Sequence, residues 1–227
     1  MNPLKTSSGS DIFDDFLEGG FENDVLTTLY GPPGSGKTTL CMLASIALAK
    51  EKKKVIFVDC EGGFSLERMK QLAGESLEEA LSYIVLLKPT TFDEQNRDLE
   101  MLKTLPMPKI GLIIVDTLTI FYRLELTRNE EVKKTNNKLI WQVSYLNEIS
   151  RKNSIPILLT NQVYADFNNK DEVKMVGGDI LRYSSKCLIS LKTVEKNVRK
   201  ATLITHRSIP EGKELSFGII NEGIVQA

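Results

Sequence analysis

Histidine is nearly missing from this chain: His206 is the only one in 227 residues, and the three cysteines, Cys41, Cys60 and Cys187, show no paired spacing. Neither a zinc site nor a disulfide framework is expected, and a bound metal should be magnesium on oxygen ligands. Long apolar runs are lacking too. None reaches about 18 residues, so no membrane-spanning helix is expected. Met1 to Ser10 lacks the charged and apolar regions of a signal peptide, which makes cytoplasmic the expected address. No internal repeat, low-complexity tract or linker divides the sequence, so residues 1–227 are expected to form one core domain. What is present suits that size, with 41% hydrophobic and 26% charged residues. The net charge of −1 hides an asymmetry: residues 1–120 carry 12 basic against 18 acidic side chains, and residues 121–227 carry 17 against 12. That imbalance suits either a polyanion-binding face or an ordinary mixed surface.

Short, nearly continuous apolar runs at Leu26–Tyr30, Val55–Val58, Tyr83–Leu87, Ile110–Val115 and Ile155–Thr160 predict strands of one parallel sheet covered on both faces. Helix signals separate them. Ser65 precedes Leu66–Ala73, Gly74 stops that helix, and Ser76–Glu79 and Thr91–Glu94 have the form of capping boxes. Leu139, Val143 and Leu146 recur at helical spacing, which puts the single tryptophan, Trp141, near the edge of an amphipathic helix in a packing role. After Gln162 the pattern changes. Alternating segments at Lys186–Thr193, Ala201–His206 and Leu215–Ile220, with turns at Glu195–Asn197 and Pro210–Gly212, predict an antiparallel extension of the same sheet.

Between the first run and a helix-like run, Thr39–Lys50, stands Gly31-Pro32-Pro33-Gly34-Ser35-Gly36-Lys37-Thr38. This is a complete phosphate loop, a pattern that arises by accident in roughly 1% of chains this long. Its glycines let backbone N–H groups point at phosphates, Lys37 reaches the β and γ oxygens, and the Thr38 hydroxyl can ligate magnesium. The run Leu112–Val115 ends in Asp116, the form of a Walker B strand whose carboxylate holds the magnesium shell. Val55–Val58 delivers Asp59-Cys60-Glu61-Gly62-Gly63-Phe64 to the same edge, where Glu61 could orient the attacking water or be a solvated loop residue.

Together these pieces resemble the RecA-type recombinases, in particular the archaeal RadA group. The carriers are the phosphate loop, Asp59–Phe64, Glu67-Arg68, Asp116 and Thr160-Asn161-Gln162-Val163, with Thr6–Phe21 similar to the family's lead-in. The resemblance implies a RecA-type P-loop NTPase core: a mainly parallel sheet flanked by helices with a C-terminal antiparallel extension. ATP and Mg2+ are the implied cofactors. Thr39 extends the nucleotide site, Glu61 is the water-orienting carboxylate, Gln162 links the γ-phosphate to a DNA loop, and Arg68 is either an adenine stacker or a solvated helix residue. Two loops, about Phe121–Lys134 and Val163–Val176, are the implied DNA contacts. Arg123, Arg128, Lys133, Lys134, Lys170 and Lys174 could neutralise phosphates there, and Tyr122, Tyr164 or Phe167 could stack on bases.

Departures narrow the resemblance. The sequence begins almost at the core, so no separate N-terminal DNA-binding domain is expected. Tyr183 stands where histidine is usual, and His206-Arg207-Ser208-Ile209-Pro210 replaces an aspartate-proline cap. These features are similar to the short archaeal RadB group. They imply an ATP-binding, DNA-binding accessory of homologous recombination and repair, with feeble hydrolysis and no strand exchange of its own. Implied partners are single-stranded or branched DNA, a main recombinase or junction resolvase, and further copies of the chain. An active recombinase and a KaiC-like signalling ATPase are the alternatives, although the KaiC-like acidic pair is replaced here by Glu61-Gly62.

Overall fold

The computed structural model describes residues 5–128, 131–165 and 173–227. In chain order the elements are β1 (Lys5–Thr6), α1 (Asp11–Phe16), β2 (Phe21–Glu22), β3 (Leu26–Tyr30), α2 (Lys37–Lys50), β4 (Lys54–Asp59), α3 (Leu66–Ala73) and α4 (Leu77–Tyr83). There follow β5 (Ile84–Leu87), α5 (Phe92–Met101), β6 (Ile110–Asp116), α6 (Ile120–Arg128), α7 (Val132–Asn153), β7 (Ile157–Asn161), β8 (Val163–Ala165) and β9 (Val173–Met175). The last elements are α8 (Gly178–Ser184), β10 (Cys187–Glu195), β11 (Val198–Thr205), β12 (Glu214–Ile220) and β13 (Gly223–Gln226).

Nine strands form one sheet in the order β13-β12-β11-β10-β3-β7-β6-β4-β5. From β10 to β5 every pairing is parallel, and from β10 to β13 every pairing is antiparallel. Alternation along β6 explains its unbroken apolar run. Leu112 and Ile114 pack with Leu40, Phe57 and Leu158 on one face, while Ile113 and Val115 pack with Ile56, Val58 and Leu146 on the other. Each such side chain contributes about 1.5–3 kcal/mol on burial. Helix α2 is buried almost all round, from Leu40 through Ala49, because it lies between the sheet and its neighbours instead of facing water. Register sets the functional edge: Asp59 pairs with Asp116, and Tyr30 with Asn161, so the strand ends lie level.

Two expected capping boxes form differently. Ser76 makes no cap bond, because a 3-10 turn over Gly74–Ser76 runs straight into α4 and its hydroxyl donates back to Ala73. Thr91 does accept from the Glu94 N–H, but the Glu94 carboxylate accepts from Thr90. Ser65 caps α3 through the Arg68 N–H, and Gly74 ends that helix at φ 56°. The segment expected as a loop over Phe121–Lys134 is largely helical, in α6 and the first turn of α7. Trp141 is packed as expected, stacked on Tyr145 with 5.2 Å between ring centroids. Among the described residues no helix is long and apolar enough to cross a membrane. Cys41, Cys60 and Cys187 are free and buried, and burial raises all three thiols, Cys187 to about 12.

Candidate nucleotide site

The loop between β3 and α2 takes its shape from glycine. Gly34 and Gly36 have φ of 74° and 103°, and a Cβ on Gly31 would lie 2.1 Å from the Leu191 carbonyl oxygen of β10. Only glycine permits that approach. Pro33, Gly34, Gly36, Lys37, Thr38 and Thr39 line a cleft of about 540 Å3, which Glu61, Gly63, Gln162, Arg199 and Ile219 complete. Gly31, Pro32 and Ser35 support this cleft from within the loop. The Lys37 ammonium donates to the carbonyls of Gly31 at 2.8 Å and Pro32 at 2.9 Å, and lies 3.4 Å from the Ser35 hydroxyl. Burial pushes Lys37 below its ordinary pKa, and the charges of Asp116 and Glu61 oppose that.

The buried Asp116 carboxylate, at the end of β6, accepts from Thr38 Oγ1 at 2.8 Å and from the Thr160 hydroxyl. Burial raises its pKa, and the two hydroxyls pull it back. A hydroxyl and a carboxylate are hard oxygen donors suited to magnesium, which usually combines one or two such protein groups with phosphates. Gly63 keeps that corner open, since a Cβ there would sit 3.4 Å from both Thr38 Oγ1 and Asp116 Oδ2. The donor set fits Mg2+ bound with a nucleotide. Among the described residues no cluster of three His, Cys, Asp or Glu side chains offers an all-protein cage.

Asp59 shapes the loop that carries Glu61 by accepting from the N–H groups of Gly62, Gly63 and Phe64 at 2.9, 2.9 and 3.1 Å. Phe64 anchors the same loop edge-on against Phe57. The exposed Glu61 carboxylate accepts from Thr117 Oγ1 at 2.6 Å and from the Gln162 amide. Thr117 has φ 60°, outside the range β-branched residues favour, and its N–H donates to Thr160 Oγ1 at 2.7 Å. Next to it, Thr119 donates to the Asn161 side chain, which donates in turn to the Val176 carbonyl at 2.7 Å. The phosphate edge is thus bonded through to the far end of the β8–β9 segment.

Not every expected residue joins this cleft. Arg68 donates to the carbonyls of Ile220 at 2.8 Å and Asn221 at 3.1 Å, tying α3 to the β12–β13 turn beyond the cleft lining. Tyr122 is a correction. It is buried, with its ring edge-on to Phe92 and its hydroxyl on Asn136, so it packs the protein instead of meeting a base. Arg123 and Arg128 are exposed on α6, and Tyr164 is exposed beside a second cleft of about 510 Å3 near α8. Lys170 and Phe167 lie outside the described residues, and Lys174 falls within β9. Residues that the sequence did not single out for the cleft are Arg199 and Ile219, brought over the loop by the antiparallel strands. Thr117 was missed as well, and its only local signal was its place directly after Asp116.

The Rad51 family model matches residues 2–227. A DNA repair and recombination protein RadB from Methanobrevibacter smithii is 40% identical over 98% of this chain and 95% of its own length. Its namesake from Methanococcus maripaludis is 41% identical over 94% and 97%. The chain belongs to the RadB group of the Rad51 family. A solved structure described as the crystal structure of the RadB recombinase covers 97% of this chain and 99% of its own, with 38% identity and a TM-score of 0.82. The RadB assignment accounts for the architecture found here, a Rad51/RecA-type sheet with antiparallel C-terminal strands, as the motifs had led us to expect.

Proposed function

We propose that this chain is a MgATP-binding, DNA-binding accessory protein of homologous recombination and DNA repair in the cytoplasm, with slow hydrolysis and little or no strand exchange of its own. The observation that carries this reading is the convergence of Lys37, Thr38, Glu61 and Gln162 on one cleft, from which the chain runs directly into β8–β9. Backbone N–H groups of Gly34 to Thr39 and the Lys37 ammonium bind the phosphates. Thr38 and Asp116 hold magnesium, which supplies charge neutralisation at the phosphoryl oxygens. Glu61 orients and deprotonates the attacking water. Both Glu61 oxygens already accept protein hydrogen bonds, from Thr117 and Gln162, so an attacking water must compete with these partners for the carboxylate, which supports a slow rate.

Gln162 senses whether a γ-phosphate is present and changes the loop it opens, so nucleotide state sets how the exposed face with Arg123, Arg128 and Tyr164 meets a DNA strand. Partners on this reading are single-stranded or branched DNA, a main recombinase or junction resolvase, and other copies of the chain. The test is calorimetry with MgATP, followed by single-turnover hydrolysis with and without single-stranded DNA. Lys37→Ala is expected to lose nucleotide uptake, while Glu61→Gln keeps uptake and slows turnover. Strong DNA stimulation together with strand exchange would replace this reading with an active recombinase. Failure to bind any nucleic acid at low salt would favour a signalling ATPase.

A further inference from the structure

The C-terminal antiparallel strands form a wall of the phosphate cleft. Arg199 on β11 pairs across from Phe217 on β12, and a Cβ on Gly36 would lie 3.0 Å from Ile219 Cδ1 and 3.5 Å from the Phe217 ring. From this wall the Arg199 Nε–H donates to the Gly34 carbonyl, inside the phosphate loop, at 2.9 Å. Its Nη1 lies 3.4 Å from the Asn197 carbonyl of the same hairpin. The guanidinium is thus held by backbone oxygens of two segments, at the rim of a cleft it helps to line.

We propose that Arg199 is a second cation for the triphosphate, supplied by the chain itself and acting beside Lys37 on the β and γ phosphates. The inference rests on the nucleotide reading above and adds a residue to it. Three physical points carry it. A guanidinium offers five N–H donors, so the contacts to Gly34 and Asn197 leave others for phosphate oxygens. Its planar fork matches phosphate geometry in a bidentate contact. It also stands on a sheet strand and is already oriented, so little reorganisation opposes the contact. The neighbouring Lys200 cannot substitute, because its ammonium is paired with Glu214 at 2.9 Å.

The test is calorimetry of the full chain with MgATP, MgADP and AMP, comparing the parent with Arg199→Gln and Arg199→Lys. The glutamine variant should bind MgATP about tenfold more weakly, as expected for a lost charge-assisted hydrogen bond, and AMP equally well. Its MgATP affinity should also depend less on salt. The lysine variant should fall between parent and glutamine variant, about threefold weaker than the parent, because the charge is kept while the fork is lost. Equal MgATP affinity in parent and glutamine variant overturns the proposal and leaves the nucleotide reading intact. A uniform loss that includes AMP also overturns it, since Arg199 would then only brace the loop. If the glutamine variant loses its circular dichroism signal, the lysine variant decides, and there either parental MgATP affinity or an equal loss for MgATP and AMP refutes the role. A parent that takes up no MgATP defeats the nucleotide reading itself.

Discussion

Thr117 gives the sharpest prediction, because one residue carries both a backbone strain and a contact to Glu61, the proposed water-orienting carboxylate. Its φ of 60° costs a β-branched residue about 1–2 kcal/mol, and the hydrogen bonds of its N–H to Thr160 and its hydroxyl to Glu61 hold it there. A hydroxyl donating to a shielded carboxylate contributes about 1.5–3 kcal/mol, and the exposure of Glu61 brings that nearer to about 1.4 kcal/mol. If the contact fixes where Glu61 holds the attacking water, losing it should cost about tenfold in rate. Thr117→Val keeps the strain and removes the donor, Thr117→Ser keeps the donor, and Thr117→Gly relieves the strain while removing the donor. Single-turnover hydrolysis should therefore fall about tenfold in the valine and glycine variants and stay near parental in the serine variant. Urea denaturation should show the glycine variant more stable than the valine variant by up to about 1 kcal/mol, since the freer unfolded chain offsets part of the strain relief. Parental hydrolysis in the valine variant, or a valine variant more stable than the glycine one, refutes the reasoning.

Arg207 is 2.6 and 3.1 Å from the Asp24 carboxylate and 2.9 Å from Glu22, a buried acid. Arg207→Ala should lower stability in urea by about 2 kcal/mol, less than for a fully buried pair because the guanidinium is partly exposed. Asp24 is held below the ordinary carboxylate range by the hydrogen bond from Arg207, so its share is fully present above about pH 4 and fades as pH falls through the folded-state value. A stability difference that grew on acidification would contradict this. Asp116 has the opposite shift: burial raises it, and protons compete with magnesium from a higher pH. Magnesium-dependent ATP affinity should weaken on acidification starting above about pH 4, and Asp116→Asn should remove that dependence. For DNA, Arg123→Ala or Arg128→Ala should reduce the slope of log affinity against log salt by about 0.7, one single-strand phosphate contact, and an unchanged slope would place the DNA face elsewhere.

The parallel strands were legible because covering both faces demands apolar residues at every position, as Leu112 to Val115 show. The phosphate loop and Asp116 were legible because their chemistry requires fixed residue types at fixed spacing. Other features depend on partners distant in sequence. Arg199 reads as one charge in a basic hairpin, and only the β10–β11–β12 pairing carries it over Gly34. Strand β13 was missed because Gly223–Gln226 is too short to show alternation, yet it pairs with β12 through Phe217 to Ile220. Ser76 matched a capping box in sequence, but the preceding 3-10 turn gives its backbone a helical continuation that needs no cap. Tyr122 was a base-stacking candidate in the first implied DNA loop, and its burial follows from the helical turn that faces it toward Phe92.

The bond between Arg199 and Gly34 joins positions 165 apart in the chain. During synthesis the glycine-rich loop leaves the ribosome early, while the strands that wall it emerge near the end. Before those strands arrive the cleft lacks the wall that Arg199 and Ile219 provide, so a ligand that needs the whole cleft would stabilise only the completed protein. Nucleotide binding, as proposed, would then favour molecules whose first and last thirds have found each other.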